Sequence, residues 1–478
     1  MKRVVAFVAS AALLGSAQGD PIDDLVAAQM ERQHIPGLSI AIVQNGKIVK
    51  RQGYGIANLE HGVPVSSHTM FQSASLGKQF TAALTLLLVE DGKIKLDDPI
   101  SMHVPSTPKS WAKITVRHLL NHTSGLAPVD ESIDLRRDYS DQELLASMVR
   151  LPLLFLPGEK WSYSSLGYQV LGILCTRVGG KFYGEQLRER VFEPSGMKAA
   201  IVNDRELVPN RAAGYDRVNG TLVNEEWVSP TLNATADGGM YVSAQDLAQW
   251  SIALDADNVL SQGMKEASWS PGKLNDGSTT EYGFGWELRS INGHRSVQHS
   301  GAWRGFSTYL VRYLDDKLTV VVLANRSRAR PEFIAEQIVG HYIPELRTNP
   351  PTQSTFSTVP SFVRGSMNGW SGDGARLHQN AYGIYEAEIE LSPGDHTFRI
   401  ASEDWTAIDL GALLDEASLN LNETKRLDWR GENLILNVSD AARYLFRVDL
   451  RNPDTSYVKV SRQEKSAQER EDSRARRD

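Results

Sequence analysis

The sequence has a single cysteine, Cys175, so no disulfide forms within the chain. That cysteine lies in the apolar run GYQVLGILCTRVGG, where a buried thiol is expected rather than a nucleophile. A basic block is missing too: 51 Lys and Arg against 58 Asp and Glu leave a net charge of −7, which argues against nucleic acid as a partner. After the first residues no segment is apolar over the width of a bilayer, so no membrane span is expected. Metal-ligand spacing is almost absent. His118 and His122, at i and i+4, would place two imidazoles on one helix face, but no glutamate follows the first and no third ligand is indicated. No metal is assigned. Folding then rests on apolar cores, for which 41% hydrophobic residues are ample.

What is present begins with MKRVVAFVASAALLGSAQGD. Lys2 and Arg3 give a positive start, residues 4–14 are apolar but too few to span a bilayer, and small residues follow at Ala17 and Gly19. These predict a secretory signal over residues 1–19 and an exported product, periplasmic or extracellular. Residues 22–34 then read as an amphipathic helix, and LSIAIVQNGKIVKRQGYG as a hairpin turning at Asn45-Gly46. Near residue 300 come YGFGWEL, SVQHSGAW, FSTYLVRYL and KLTVVVLAN, which read as further strands, with a helix at 331–342. Strands at both ends with helix-rich sequence between predict an α+β fold over residues 20–345, one antiparallel sheet flanked by helices.

The stretch PELRTNPPTQSTFSTVP is rich in Pro, Ser and Thr and predicts an interdomain linker, assigned to residues 346–358. Beyond it the texture changes to period-2 strands. In GIYEAEIEL, Tyr385, Ala387, Ile389 and Leu391 share one face and three glutamates the other. HTFRIAS, NLILNVS, RYLFRVDLR and SYVKVSR follow, which predicts a separate β-sandwich over residues 359–462. The charged residues 463–478 lack apolar anchors and are expected to be disordered.

Within FQSASLGKQF, Ser75 and Lys78 lie three apart at the mouth of an apolar helix whose Phe80, Ala83, Leu84, Leu87 and Leu88 recur at helical spacing. A hydroxyl there needs a base within hydrogen-bond reach, and a lysine serves if burial or nearby positive charge destabilises its ammonium. Alone, the pair also fits a capping serine and a solvated lysine. The chain adds LPGEKWSYSSLGYQVLG, with Tyr163-Ser164-Ser165 before a helix, and QHSGAWRGF, with His299-Ser300-Gly301 on a strand. In this order the three resemble the S-x-x-K, Y-x-N and K-T-G elements of serine β-lactamases and penicillin-binding proteins. ITVRHLLNHTSGL, GGMYVSAQDLAQW and YGFGWEL extend the resemblance, toward class C β-lactamases and related esterases, over residues 20–345.

The resemblance implies a serine hydrolase that needs no cofactor. Ser75 would form an acyl-enzyme, and Lys78 and Tyr163 would handle protons, the tyrosine as a base only if Lys78 lowers its phenol pKa. The N–H groups of Ser75 and Ala302 would hold the oxyanion, with Ser165, His299, Ser300 and Gly301 beside the substrate. Two positions depart from the family pattern. Ser165 replaces an asparagine, which shortens the reach to Lys78, and His299 replaces a lysine that would meet a substrate carboxylate. Arg304 is a candidate replacement cation, or a plain surface residue. An ester, a D-amino-acid amide or peptide, or a peptidoglycan-derived substrate is therefore expected ahead of efficient lactam hydrolysis. The alternative is a non-hydrolytic glycan-binding or sensor protein on the same fold.

The C-terminal stretches SFVRGSMNGWSGDG, GIYEAEIELSPGDHTFRIASEDW and GENLILNVSDAARYLFRVDL resemble the immunoglobulin-like modules beside pullulanase and α-amylase catalytic domains. That resemblance implies α-glucan binding by stacking of sugar rings on Trp370, Trp405 and Trp429. The competing expectation is that these tryptophans are core and the module a spacer.

Overall fold

Asn45 and Gly46 take φ of 51° and 73°, as a two-residue type I′ turn requires, and fold Gly37–Gln44 back on Lys47–Asn58. The first of these strands does not alternate in polarity because both of its faces are covered. Leu38, Ile40 and Ile42 enter one core, and Ala41 and Val43 another. Its second neighbour comes from far along the chain, Leu318–Ala324, with Leu38 opposite Ala324. Phe306–Tyr313, His294–Trp303 and Glu287–Ile291 extend that side, and Val63–Pro64 closes the other edge of a seven-stranded antiparallel sheet. Both ends of the region complete one sheet, as the sequence predicts. YGFGWEL contributes less strand than expected: only Glu287 and Leu288 pair as strand, while Tyr282, Phe284 and Trp286 turn into the core.

Helices Pro21–Arg32 and Pro331–Tyr342 cover one face of the sheet. The helical segment between the strands covers the other, centred on Lys78–Glu90 and Ser165–Gly179. Lys78–Glu90 is apolar nearly all round, which suits a helix with no solvent face. The structure, a computed structural model, describes residues 20–197, 202, 205–452 and 455–463. The expected signal at 1–19 and the tail from 464 onward lie outside them. Among the described residues no helix is long and apolar enough to cross a membrane.

The C-terminal region builds its own core from strands including Ile384–Leu391, Gly394–Ser402, Leu434–Val438, Ala442–Asn452 and Thr455–Arg462. All belong to one ten-stranded, mainly antiparallel set. The stretch expected to be linker is partly structured. Thr352 caps a short helix, Gln353–Thr358, whose Phe356 packs 5.3 Å from the Tyr385 ring inside this second core. One anchoring aromatic among Ser and Thr leaves no periodicity for sequence to show.

The two regions meet along a charged seam. Arg326, with no exposed side-chain surface, pairs with Asp415 and donates to the Gln33 carbonyl at 2.7 Å. Arg328 bonds Glu432 at 2.8 Å, Arg430 bonds Glu336, and Arg32 lies 3.0 Å from Asp428. The turn RSRARP, which leaves the last strand of the sheet, thus points three arginines at the sandwich, where Arg330 meets the Arg430 carbonyl.

Candidate active site

Ser75 lies in a single 3₁₀ turn, Ala74–Gly77, which runs directly into the helix Lys78–Glu90. Sequence spacing places Ser75 in the first α-helical turn; the structure sets it just before. Ala74, immediately upstream, holds φ 50°, a conformation uncommon for a residue with a Cβ. Two glycines permit it. A Cβ on Gly238 would lie 2.2 Å from the Ala74 carbonyl oxygen, and one on Gly301 would lie 2.3 Å from that of Ser73. Gly301 therefore lets the strand His294–Trp303 press against the serine turn, with Ala302 alongside.

Lys78 reaches the same point from below. Its Nζ lies 3.0 Å from Ser75 Oγ, 3.3 Å from Ser165 Oγ and 2.7 Å from the Asp237 carbonyl oxygen. Ser165 does reach Lys78 despite its short side chain, because it opens the helix Ser165–Gly179 directly over the amine. All three partners are neutral, and the side chain is fully buried. Burial lowers the ammonium pKa to about 8, with the Asp237 charge opposing in part.

Tyr163 closes the other side. Its ring lies 4.9 Å from Lys78 Nζ and 4.3 Å, centroid to centroid, from His122. Its hydroxyl is buried with no hydrogen-bond partner within ordinary geometry. The condition for Tyr163 to serve as a base, a lowered phenol pKa, is not met: burial pushes the phenol well above its usual value, and Ser75 offsets only part of this. Tyr163 is therefore a neutral O–H group and not a ready phenolate.

His299 also departs from expectation. It is buried beneath the strand, its Nδ1 2.6 Å from the Ser300 carbonyl and its Nε2 2.8 Å from the Tyr282 hydroxyl. A carbonyl can only accept, so Nδ1 carries the proton and Nε2 accepts from Tyr282. Burial and Lys78 push the imidazole pKa down to about 3, so it is neutral and takes no part in lining the cavity. Ser300 is exposed and does not line the cavity either. Arg304 pairs with Glu225 and Glu226 at 3.6 and 4.0 Å and is not among the residues lining the cavity.

His118 and His122 serve the fold. The first closes a capping box with Thr115, and the second accepts from the Ser164 N–H and stacks on Tyr163. Cys175 is buried against Thr85, its thiol pushed up to about 12. In the C-terminal region Trp370 and Trp405 are brought together, rings 6.2 Å apart, with the Arg364 guanidinium 4.3 Å from the Trp405 ring. Trp429 is elsewhere. It packs on the sandwich core beneath Arg430, at the seam, with its indole nitrogen buried.

Ser75, Ser165 and Ala302 open onto a cavity of about 260 Å³. Its walls include Val129, Ile133, Leu135, Met148, Leu232 and Trp303, so it accepts an apolar group beside the serine. Sequence reasoning missed Asp237, whose backbone carbonyl makes the shortest bond to Lys78. The only signal was its place before Gly238-Gly239, where the chain approaches the serine turn.

The β-lactamase family profile matches residues 22–340. The chain is similar to penicillin-binding protein 4* of Bacillus subtilis, 32% identical over 315 residues, covering 62% of this chain and 69% of that one. Among solved structures it is similar to the D-amino acid amidase of Ochrobactrum anthropi SV3 in complex with L-phenylalanine amide. There the TM-score is 0.58 at 26% identity, over 68% of this chain and 97% of that one. The fold of the octameric penicillin-binding protein homologue from Pyrococcus abyssi matches 92% of this chain and 99% of its own, with TM-score 0.64 and 21% identity.

Proposed function

The chain belongs to the β-lactamase family and is a serine hydrolase, and from that premise we propose an acyl-enzyme mechanism on Ser75 with Lys78 as its base. One observation carries this reading: a buried lysine with a pKa of about 8 sits 3.0 Å from the serine hydroxyl and has no charged hydrogen-bond partner. Neutral Lys78 takes the Ser75 proton as Oγ attacks the carbonyl carbon. The Ser75 and Ala302 N–H groups receive the oxyanion, each worth about 3 kcal/mol on charge that develops only in the transition state. Tyr163, protonated throughout the resting state, gives its proton to the leaving group and regains one from the Lys78 ammonium. Water then releases the acyl group by the same relay run in the opposite sense.

The substrate we propose is an ester or a D-amino-acid amide or peptide, peptidoglycan-derived peptides included, ahead of a lactam. The neutral, buried His299 supports this, because a lactam carboxylate would meet no permanent cation there. The relative named a D-amino acid amidase supports it too. We also propose export, which the signal-like residues 1–19 support. For the C-terminal region we propose α-glucan binding at Trp370 and Trp405 alone, since Trp429 is committed to the seam.

Ser75→Ala tests the mechanism. Ester turnover should fall by a factor on the order of 10⁴ to 10⁶ with thermal unfolding unchanged. A fluorophosphonate should add one label to the native chain and none to the variant, and kcat/KM should rise with pH to a midpoint near 8, where Lys78 becomes neutral. Labelling of Ser75→Ala at the native rate would refute it.

A further inference from the structure

The cavity at Ser75 has a charge pattern the mechanism does not use. Among the residues lining it, the only acidic or basic side chains are Asp130 and Asp237; no arginine, lysine or histidine is among them. Each carboxylate has one buried oxygen without a hydrogen-bond partner, Asp130 Oδ2 and Asp237 Oδ1. Lys78 stabilises the Asp237 charge through space but makes no hydrogen bond to the carboxylate. Its three N–H donors go to Ser75, Ser165 and the Asp237 backbone carbonyl, which leaves none for the carboxylate. A cavity wall with two carboxylates, each with a bonding position unfilled, and no cation among its lining residues favours a cationic ligand group.

We infer that Asp237 is a specificity residue that anchors a free ammonium group on the acyl part of the substrate, close to the carbonyl attacked by Ser75. This rests on the Ser75 acyl-enzyme reading and narrows its substrate class to aminoacyl donors with an unblocked amine and an apolar side chain. The apolar part fits the Val129, Ile133, Leu135 and Met148 wall. The ammonium belongs near the scissile carbonyl because Asp237 and Ser75 line the same cavity, with Lys78 Nζ 2.7 Å from the Asp237 backbone carbonyl and 3.0 Å from Ser75 Oγ. An acyl group ending in a carboxylate meets two anions, and an N-acylated amino acid loses the charge that Asp237 attracts. Asp130 adds to that field. Its Oδ1 is occupied by the Ser132 N–H and hydroxyl, so it stays ionised without needing the ligand.

The test compares D-phenylalanine methyl ester, its L enantiomer, the N-acetyl ester and methyl 3-phenylpropanoate at pH 6.5, each rate divided by the ester's hydroxide-catalysed rate. The native enzyme should favour the better of the two amino esters over methyl 3-phenylpropanoate by roughly 10- to 100-fold in kcat/KM, the worth of one charge-assisted hydrogen bond. Asp237→Asn should bring that ratio close to one, and Asp237→Glu should restore part of it. A second measurement needs no variant: 2-phenylethylammonium should slow fluorophosphonate labelling of Ser75, and 3-phenylpropanoate at the same concentration should not. A native ratio near one, a ratio unmoved in Asp237→Asn, or equal protection by the carboxylate overturns the inference. Those results leave the acyl-enzyme reading standing, because that reading falls only if Ser75→Ala keeps its label or its turnover.

Discussion

Lys78 in the hydrolase body and Arg326 at the seam are both cations without solvent contact, yet their partners differ in kind. Lys78 is hydrogen-bonded by two hydroxyls and a carbonyl, so burial is offset only in part and the ammonium can give up its proton. Arg326 is bonded to the Asp415 carboxylate, and a guanidinium keeps its charge in any protein setting. Neutral partners around a lysine make a base; a carboxylate on an arginine makes a fixed joint. Both cations belong to the hydrolase body, one at the candidate active site and one in the turn where the sandwich docks.

The largest expected effect comes from breaking the joint. Asp415→Asn leaves Arg326 buried without a counter-charge and also strips Arg328 and Arg217 of a partner at 3.6 and 3.9 Å. The loss should be about 3–5 kcal/mol, read as a lower urea midpoint for the whole chain and two separated transitions in place of one. Ser75 labelling per folded molecule should stay near the native rate. An unchanged midpoint would mean that the seam contributes nothing and that the regions are only tethered.

Acid provides the next contrast, since it acts through a group of the hydrolase body. The His299 pKa is depressed from 6.5 to about 3 on folding, so below pH 6.5 the unfolded chain binds the proton and the folded one does not. The contribution is complete above 6.5 and is lost as pH falls toward 3. At pH 5 about 2 kcal/mol of it is lost. Urea midpoints at pH 7 and pH 5 measure this, and His299→Gln should show the smaller pH dependence. Equal slopes in the two proteins would place the acid sensitivity elsewhere.

The smallest effect belongs to the sandwich surface. Trp370→Ala or Trp405→Ala should weaken glucan binding by about 1–2 kcal/mol, read as mobility in glycogen or amylopectin gels. Native migration that neither polysaccharide retards would leave the sandwich a docked structural partner and no more.

Several of these features were legible in the sequence. The hairpin at Asn45-Gly46 follows from a turn that needs two positive φ values, and the period-2 strand Ile384–Leu391 from one buried face. The helix Gln353–Thr358 was not legible, because it owes its place to Phe356 entering a core built by later strands. That Trp429 lies apart from Trp370 and Trp405 was not legible for a related reason. Exposure depends on what packs above a side chain, and Arg430 and the seam were invisible in one dimension.

The sequence by itself determined the fold class and the two regions, because periodicity is a local property of the chain, and its resemblance to serine β-lactamases and penicillin-binding proteins singled out Ser75, Lys78 and Tyr163. Only the tertiary structure decided the proton states. The Lys78 ammonium is destabilised, Tyr163 stays protonated and His299 stays neutral because of how completely each is removed from water and which groups face it. Those groups come from residues as far away as Asp237 and Tyr282, and desolvation is a property of the assembled site that no local pattern encodes.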